Sequence, residues 1–270
     1  MKELTEMKIF QNRRSWAWPY IAFLVLLVIL PLVLIGIYAF TDIEGHFTLK
    51  NFVQFFNKSE AVNTFIYSIA IALITTIICL VLGYPAAYIM AMRSFRTPAV
   101  MAMLFILPMW INFLLRTIAT VELFHMFNLP LGEGALLFGM SYDFLPFMIY
   151  PIYNTLQKMD LSLLEAARDL GANRMQTFLK VVLPLSLPGI YSGIVMVFMP
   201  TVSTFAISEL LTHNKITLFG SLIQRSFGEG GILMWNYGAA LSLIMLVIIG
   251  ATSFFGQDDT AADNQKGGLI

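Results

Sequence analysis

The sequence predicts an all-α integral membrane protein with six transmembrane helices. Of its 270 residues, 58% are hydrophobic and only 12% are charged, and the mean hydropathy of +0.78 lies far above that of a soluble globular domain. The apolar segments are continuous and do not alternate with polar residues. This favours helices over a β-barrel, because each helix satisfies its own backbone hydrogen bonds in lipid.

Six apolar runs are long enough to cross a membrane. A hydrocarbon core about 30 Å thick requires roughly 20 residues of helix. Most of the runs contain no charged residue, and the fourth in chain order is interrupted only by Asp143. Prolines within the runs predict bent helices. The expected spans lie within residues 17–40, 61–92, 97–115, 134–157, 181–208 and 230–257.

The distribution of Lys and Arg predicts how the chain is oriented. With six spans both termini lie on one side, and 11 of the 16 Lys and Arg residues fall on that side. Four fall on the other side, and Arg116 lies in or at the end of a span. The positive-inside rule therefore places both termini in the cytoplasm. The predicted organisation is a cytoplasmic segment 1–16, a transmembrane domain 17–257 with a cytoplasmic loop 158–184, and a disordered cytoplasmic polar tail 258–270.

Residues that could carry catalysis are sparse. The three histidines lie in or near the outer loops without metal-ligand spacing, and the single cysteine, Cys79, lies inside a span. No glycine is followed by lysine, so the chain lacks the phosphate-binding loop that ATP hydrolysis requires. A net charge of zero gives no indication of nucleic acid binding. We therefore expect no metal site, no nucleic acid partner and no enzymatic activity.

A polar island from Asp160 to Lys180 separates the fourth and fifth spans. Its mixture of charged and large apolar side chains predicts two short amphipathic helices at the cytoplasmic surface, divided by Gly171. Ala166 and Ala167 would let the backbone of a partner approach closely. Gly171 would supply a positive φ at a turn.

This island resembles the EAA loop of permease subunits of type I ATP-binding-cassette importers. The family pattern is Glu-Ala-Ala, three residues, Gly, nine residues, an aliphatic residue, one residue and Leu-Pro, and Val181 stands where the family more often has isoleucine. The resemblance implies the MetI-like permease fold, with a coupling helix that docks on a separate ATPase. The residues that it assigns to this coupling are Glu165, Ala166, Ala167, Asp169, Gly171, Leu183 and Pro184.

Four further stretches resemble spermidine/putrescine permease subunits in particular. They are residues 108–116, 145–148, 164–172 and 235–242. The resemblance implies a polyamine importer in the inner membrane of a bacterium. It also implies a second homologous permease subunit, an ATPase dimer that binds ATP and Mg, and an extracytoplasmic substrate-binding protein, with no cofactor in this chain. The alternatives are the same machine for iron, an oxyanion or another solute, and, outside this class, a stand-alone channel or a membrane enzyme.

Ionisable groups within or beside spans are costly in lipid and therefore indicate a candidate substrate pathway. Glu209 follows Thr201, Thr204 and Ser208, which at helical spacing would form a polar stripe on the fifth span. Carboxylates and aromatic faces together would suit a flexible polycation. The candidate pathway residues are Glu209, Trp110, Asp143, Glu122 and Phe205. The alternatives are an interfacial position for Glu209 and Glu122, an ion pair of Asp143 with Arg116, and core packing for Trp110.

Overall fold

A computed structural model describes residues 17–92, 98–228 and 232–266 of the chain, and these residues are almost entirely helical. π-helical turns at Val25–Ile29 and Phe178–Val182 and a 3₁₀ turn at Leu107–Trp110 connect some of the α-helices. The α-helices are α1 Ala17–Leu24, α2 Leu30–Ala39, α3 Lys50–Asn57, α4 Ser59–Met92, α5 Pro98–Ile106, α6 Phe113–Met126, α7 Glu133–Gln157, α8 Ser162–Asp169, α9 Arg174–Thr177, α10 Leu183–Ser203, α11 Ala206–Thr212, α12 Phe219–Gly228 and α13 Ile232–Lys266.

The described helices confirm the predicted all-α membrane fold. A bent pair, Met103–Trp110 followed by Phe113–Met126 with a 98° change of direction, takes the place of the third span. The continuous segments that are long and apolar enough to cross a membrane are Trp18–Ala39, Ser59–Met92, Glu133–Gln157, Arg174–Ser203 and Met234–Ala251.

The two predicted terminal segments have different outcomes. The segment 1–16 lies outside the described residues. α13 continues through Lys266, so residues 258–266 of the predicted polar tail belong to this helix. The short uncharged side chains at Thr260, Ala261 and Ala262 are compatible with a helix, and no glycine or proline interrupts this stretch.

The third apolar run is not one continuous helix, because a new helix begins within it. Its uniformly apolar composition gives no indication of this break. The run 97–115 was predicted as one span, but α5 tightens into the 3₁₀ turn at Leu107–Trp110 and the chain then changes direction. Asn112 begins α6, because its side-chain oxygen accepts the backbone N–H of Leu114 at 2.8 Å. An uncharged asparagine is not visible in a count of charges, so hydropathy alone indicates a continuous helix.

The fifth apolar run is also divided, which overturns the predicted polar stripe. α10 ends at Ser203, whose hydroxyl donates to the carbonyls of Met199 and Pro200 at 3.1 and 3.2 Å. Thr204 is extended, with φ −67° and ψ 144°. The positions expected on one helical face before and after Thr204 therefore belong to two different helices, α10 and α11. The buried hydroxyl of Thr201 is used within α10 and does not line a pathway.

The chain forms two compact units, and the larger contains residues 59–224. In this unit α4 and α10 both pack against α7. Met148 of α7 is fully buried between glycines of both neighbours: a Cβ at Gly83 would lie 3.0 Å from its Cγ, and a Cβ at Gly193 would lie 2.7 Å from its sulfur. Small residues at these crossings let the helix backbones approach closely, as is typical of packing in membranes.

The smaller unit contains residues 17–58 and the first part of α13. Two amide side chains complete the hydrogen bonding at the carboxyl end of α2. Asn236 donates to the carbonyls of Tyr38 and Thr41 at 3.1 and 2.7 Å, and Asn51 donates to those of Ala39 and Thr41 at 3.0 and 2.9 Å. The last carbonyls of a helix lack their regular intrahelical donors, and the two amides supply additional hydrogen bonds that fasten α3 and α13 to the end of α2.

Candidate functional site

The Glu165-Ala166-Ala167 triplet lies on α8, a short helix in the loop between the fourth and fifth spans. The carboxylate of Asp160 accepts the backbone N–H of Ser162 at 2.9 Å just before the helix, and hydrogen bonds from Ser162 hold the pKa of Asp160 below its usual range. Leu164 is the buried residue of α8. The charged side chains and most of the triplet are left exposed, as the amphipathic prediction requires.

Gly171 ends α8 in the conformation predicted from the sequence. Its φ is +84°, and its N–H bonds to the carbonyl of Arg168 at 2.8 Å. The N–H of Ala172 reaches back to the carbonyl of Ala167 at 3.0 Å. This is the Schellman arrangement, in which a left-handed residue lets two N–H groups satisfy the last helical carbonyls. A Cβ at Gly171 would meet no atom within 4 Å, so the constraint is on the backbone conformation alone.

The second half of the loop differs from the prediction of a separate surface helix. A capping box starts α9: the Asn173 side chain accepts the N–H of Gln176 at 2.8 Å, and the Gln176 side chain accepts the N–H of Asn173 at 2.9 Å. From there the chain passes through the π turn Phe178–Val182 directly into α10. The reason is that no helix-stopping residue separates α9 from the apolar run, so α9 becomes the first turn of the fifth span.

Buried contacts fasten this loop to the larger unit. Leu164 belongs to the same hydrophobic core as Phe178. The Phe178 ring meets Tyr84 and Tyr88 of α4 edge-on, with centroids 5.9 and 5.4 Å apart. The Tyr84 hydroxyl lies 3.0 Å from that of Ser186 on α10. A force applied to α8 is therefore transmitted to α4 and α10.

The exposed surface of the loop combines charge with uncovered leucine. Leu170 is 89% exposed, and Leu161 and Leu163 are also exposed. Such side chains beside charged groups are typical of a surface that binds another protein. Of the predicted coupling residues, Glu165, Ala166, Asp169, Gly171 and Pro184 are exposed, and Ala167 and Leu183 are half-buried.

Asp143 and Arg116 form a buried ion pair, which was the alternative to a pathway position for Asp143. The Arg116 Nε lies 3.2 Å from the Asp143 Oδ1, and the two residues are 6% and 1% exposed. The Thr117 hydroxyl donates to Asp143 Oδ2 at 3.0 Å, and the Arg116 guanidinium donates to the Asp143 carbonyl at 3.3 Å. The guanidinium also lies over the Tyr142 ring, 5.9 Å from its centroid.

The other four predicted pathway residues are at least partly accessible in this chain. Trp110 is 81% exposed in the 3₁₀ turn before the bend, so its packing in the core of this chain is ruled out. Phe205 is 40% exposed in the break between α10 and α11. Glu209 lies half-buried in the first turn of α11, and Glu122 is exposed on α6. α6 and α11 are in contact, which brings the segments that carry these two glutamates together.

Comparison with known proteins places the chain in a family. Residues 83–258 match the family described as "Binding-protein-dependent transport system inner membrane component". The chain belongs to this family. An inner membrane component with several apolar helices is a multi-pass membrane protein and a part of a transport system.

Relatives of this inner membrane component match along most of their length. It is 34% identical over 253 residues to the spermidine/putrescine transport system permease protein PotB of Escherichia coli K12, covering 85% of this chain and 91% of the relative. The PotB protein of Haemophilus influenzae is 32% identical over 273 residues, covering 92% and 94%. Among solved structures, a bacterial ABC transporter involved in the import of the acidic polysaccharide alginate superposes with a TM-score of 0.68 at 16% identity, covering 96% of this chain and 99% of that chain. That likeness shows the fold of type I importer permeases.

One juxtaposition in this inner membrane component could not be predicted from its sequence. His125 and His213 lie on different helices, and their ring centroids are 6.1 Å apart. From the sequence, both histidines were predicted to lie in or near outer loops, without metal-ligand spacing. His125 lies in the last turn of α6 and His213 directly after α11, and nothing in the sequence indicates that these two helix ends meet.

Proposed function

We propose that this inner membrane component is the permease subunit of an ATP-driven polyamine importer. The similarity to spermidine/putrescine permeases of two bacteria over at least 85% of the chain supports this cargo. The observation that carries the transport role is the exposed α8 loop. Caps close its helix ends, buried contacts fasten it to the core, and the sequence contains no phosphate-binding loop. Its partners are a second homologous permease, an ATPase dimer with ATP and Mg, and an extracytoplasmic binding protein.

The loop geometry suggests how energy enters the subunit. α8 docks on the ATPase through Glu165, Ala166, Asp169 and the exposed Leu170, with both termini in the cytoplasm. The Schellman turn at Gly171 and the capping box that follows fix the direction of α8 relative to α9. When the ATPase dimer closes, α8 moves as a rigid body and displaces α4 and α10 through its buried contacts. The subunit itself is non-catalytic in this scheme.

The pathway for cargo uses the accessible candidates. Glu209 and Glu122 provide negative charge at the contact between α6 and α11, and Trp110 and Phe205 provide aromatic faces for ammonium groups. Asp143 contributes to the same pathway by neutralising Arg116, because an unpaired guanidinium in the same region would repel a polycation. In this assignment the carboxylates of the pathway select a positively charged cargo.

Reconstitution of the complete transporter tests the proposal. The chain is co-expressed with a candidate second permease, ATPase and extracytoplasmic binding protein, and the complex is placed in proteoliposomes with ATP on the ATPase side. We expect accumulation of labelled spermidine or putrescine and stimulation of ATP hydrolysis by the polyamine-loaded binding protein. Uptake of iron or an oxyanion in place of polyamine would refute the cargo and retain the importer, and flux that does not require ATP would refute the importer.

A further inference from the structure

A pair of histidines brings two imidazole rings together where α6 and α11 end. His125 lies in the last turn of α6, and His213 ends α11. Their rings are 6.1 Å apart between centroids and inclined by 42°, and both side chains are exposed. Neither residue is used by the coupling loop.

The backbone at both histidines is held by short-range hydrogen bonds. His213 is itself in the left-handed region, with φ +49°, and its N–H bonds to the carbonyl of Glu209. Asn214 follows with φ +59° and donates to the same carbonyl at 3.1 Å. In the turn after α6, Asn128 has φ +52°, and its N–H donates to the carbonyl of His125 at 3.0 Å. The two side chains are therefore presented from defined positions.

We propose that His125 and His213 together bind one divalent transition-metal ion of the zinc or nickel class. Two imidazoles that each bond one ion at 2.0–2.1 Å have ring centroids about 5 to 6.5 Å apart, depending on the angle at the metal. The observed 6.1 Å lies at the wide-angle end of this range, and a tetrahedral angle, which gives about 5 Å, is reached when the two exposed side chains move about 1 Å closer together. Among the described residues no group of three or more His, Cys, Asp or Glu is arranged to hold a metal. Water therefore completes the coordination, and the affinity is lower than that of a structural zinc site.

The electrostatic surroundings favour a cation at this point. The carboxyl ends of α6 and α11 converge here, and helix carboxyl ends carry partial negative charge. Glu122 lies three residues before His125 within α6, so these two side chains share one side of that helix, and Glu209 lies four residues before His213 in the first turn of α11. Lys215, two residues beyond His213, is the nearest basic residue in the sequence. Within four residues of the two histidines along the chain there are therefore two carboxylates and one ammonium group.

A bound ion would link two helices that both pack against α7. The third span, of which α6 is a part, and the segment that follows the fifth span would then be held together at one end. If the subunit transports polyamines as proposed above, zinc should slow uptake by restricting relative movement of α6 and α11. The binding of the ion does not depend on that function.

Calorimetric titration of the purified full chain tests the binding. The chain carries an affinity tag without histidine, and Zn²⁺ or Ni²⁺ is titrated into the detergent-solubilised protein. We expect one ion per chain, no comparable binding of Mg²⁺ or Ca²⁺, and a rise of the unfolding temperature with Zn²⁺. His125→Ala and His213→Ala each remove a metal ligand. Removing a residue that only hydrogen-bonds to a ligand already lowers metal affinity roughly 10- to 100-fold, so each of these variants should lower zinc affinity by at least that factor.

The third histidine provides the matched control. His46 is exposed and lies 3.5 Å from Glu44, so His46→Ala removes an imidazole with a carboxylate beside it but without a second histidine. This variant should bind zinc as the unaltered chain does. Absence of stoichiometric binding, binding that survives both His125→Ala and His213→Ala, or binding lost only in His46→Ala would overturn the site. Zinc binding that does not affect uptake would overturn its effect on transport and leave the proposed cargo untouched.

Discussion

Replacing Gly171 by valine isolates the contribution of one backbone conformation to coupling. The φ of +84° lies in the left-handed region, where a residue with a Cβ is disfavoured by about 1–2 kcal/mol, and a β-branched side chain is among the least tolerant. No atom lies within 4 Å of the added Cβ, so steric overlap contributes nothing further. A cost of this size lowers the population of the native turn by a factor of roughly 5 to 30. We therefore expect normal insertion but reduced assembly with the ATPase or reduced stimulated hydrolysis.

Two control variants make this prediction specific. Gly171→Asn should retain most of the coupling, because asparagine tolerates the left-handed region. Gly134→Val places the same side chain at a glycine that also has open space but no positive φ, and it should behave like the unaltered protein. The assay is ATP hydrolysis and polyamine uptake by the reconstituted complex, after equal insertion has been verified. Normal uptake by Gly171→Val would refute the reasoning, and equal loss in all three variants would show that φ is not the cause.

Three further predictions concern the pathway and the core. Glu209→Gln should weaken polyamine uptake more than complex assembly, whereas Glu44→Gln in the exposed loop after α2 should weaken neither; unchanged uptake kinetics would remove Glu209 from the pathway. Arg116→Gln leaves Asp143 as an uncompensated buried charge and should lower the free energy of unfolding by about 3–5 kcal/mol, measured by thermal unfolding in detergent. The double variant Arg116→Met with Asp143→Leu should recover most of that loss. Equal stability of the single and double variants would contradict this coupling. Gly189→Val places a Cβ 2.9 Å from a backbone carbonyl oxygen of α7 and should lower the free energy of unfolding by about 1–3 kcal/mol through overpacking. An unchanged unfolding temperature would show that α7 and α10 can move apart to accept the side chain.

The features predictable from the sequence were those that depend on composition and on local backbone chemistry. Long uncharged runs predict helices in lipid whatever the tertiary packing, so the all-α membrane fold was confirmed. Gly171 was identified because glycine adopts the positive φ of a helix-ending turn without the strain that other residues incur. The spacing of the Glu-Ala-Ala triplet, Gly171 and Leu183-Pro184 predicted the family, which the comparisons confirmed.

The features that were missed depend on groups without charge or on distances across the fold. Asn112 divides the third span by accepting one backbone hydrogen bond, and Thr204 divides the fifth by adopting an extended ψ; neither changes a hydropathy average. The choice between a pathway role and an ion pair for Asp143 required its position relative to Arg116. The proximity of His125 and His213 depends on how two distant segments pack, which spacing along the chain does not encode.

The π turn Phe178–Val182 sets the rotational register between α8 and the fifth span. In this turn the N–H of Leu183 bonds to the carbonyl of Phe178, five residues back, so one more residue is accommodated than an α-helical turn would hold. Pro184 follows at once and has no N–H to give to a regular helical partner. Each α-helical residue corresponds to about 100° of rotation, so removing a single residue here would turn every downstream side chain of α10 by about that angle relative to α8. Insertions and deletions should therefore be far less tolerated between Thr177 and Pro184 than between Gln157 and Ser162, although both segments belong to the same loop.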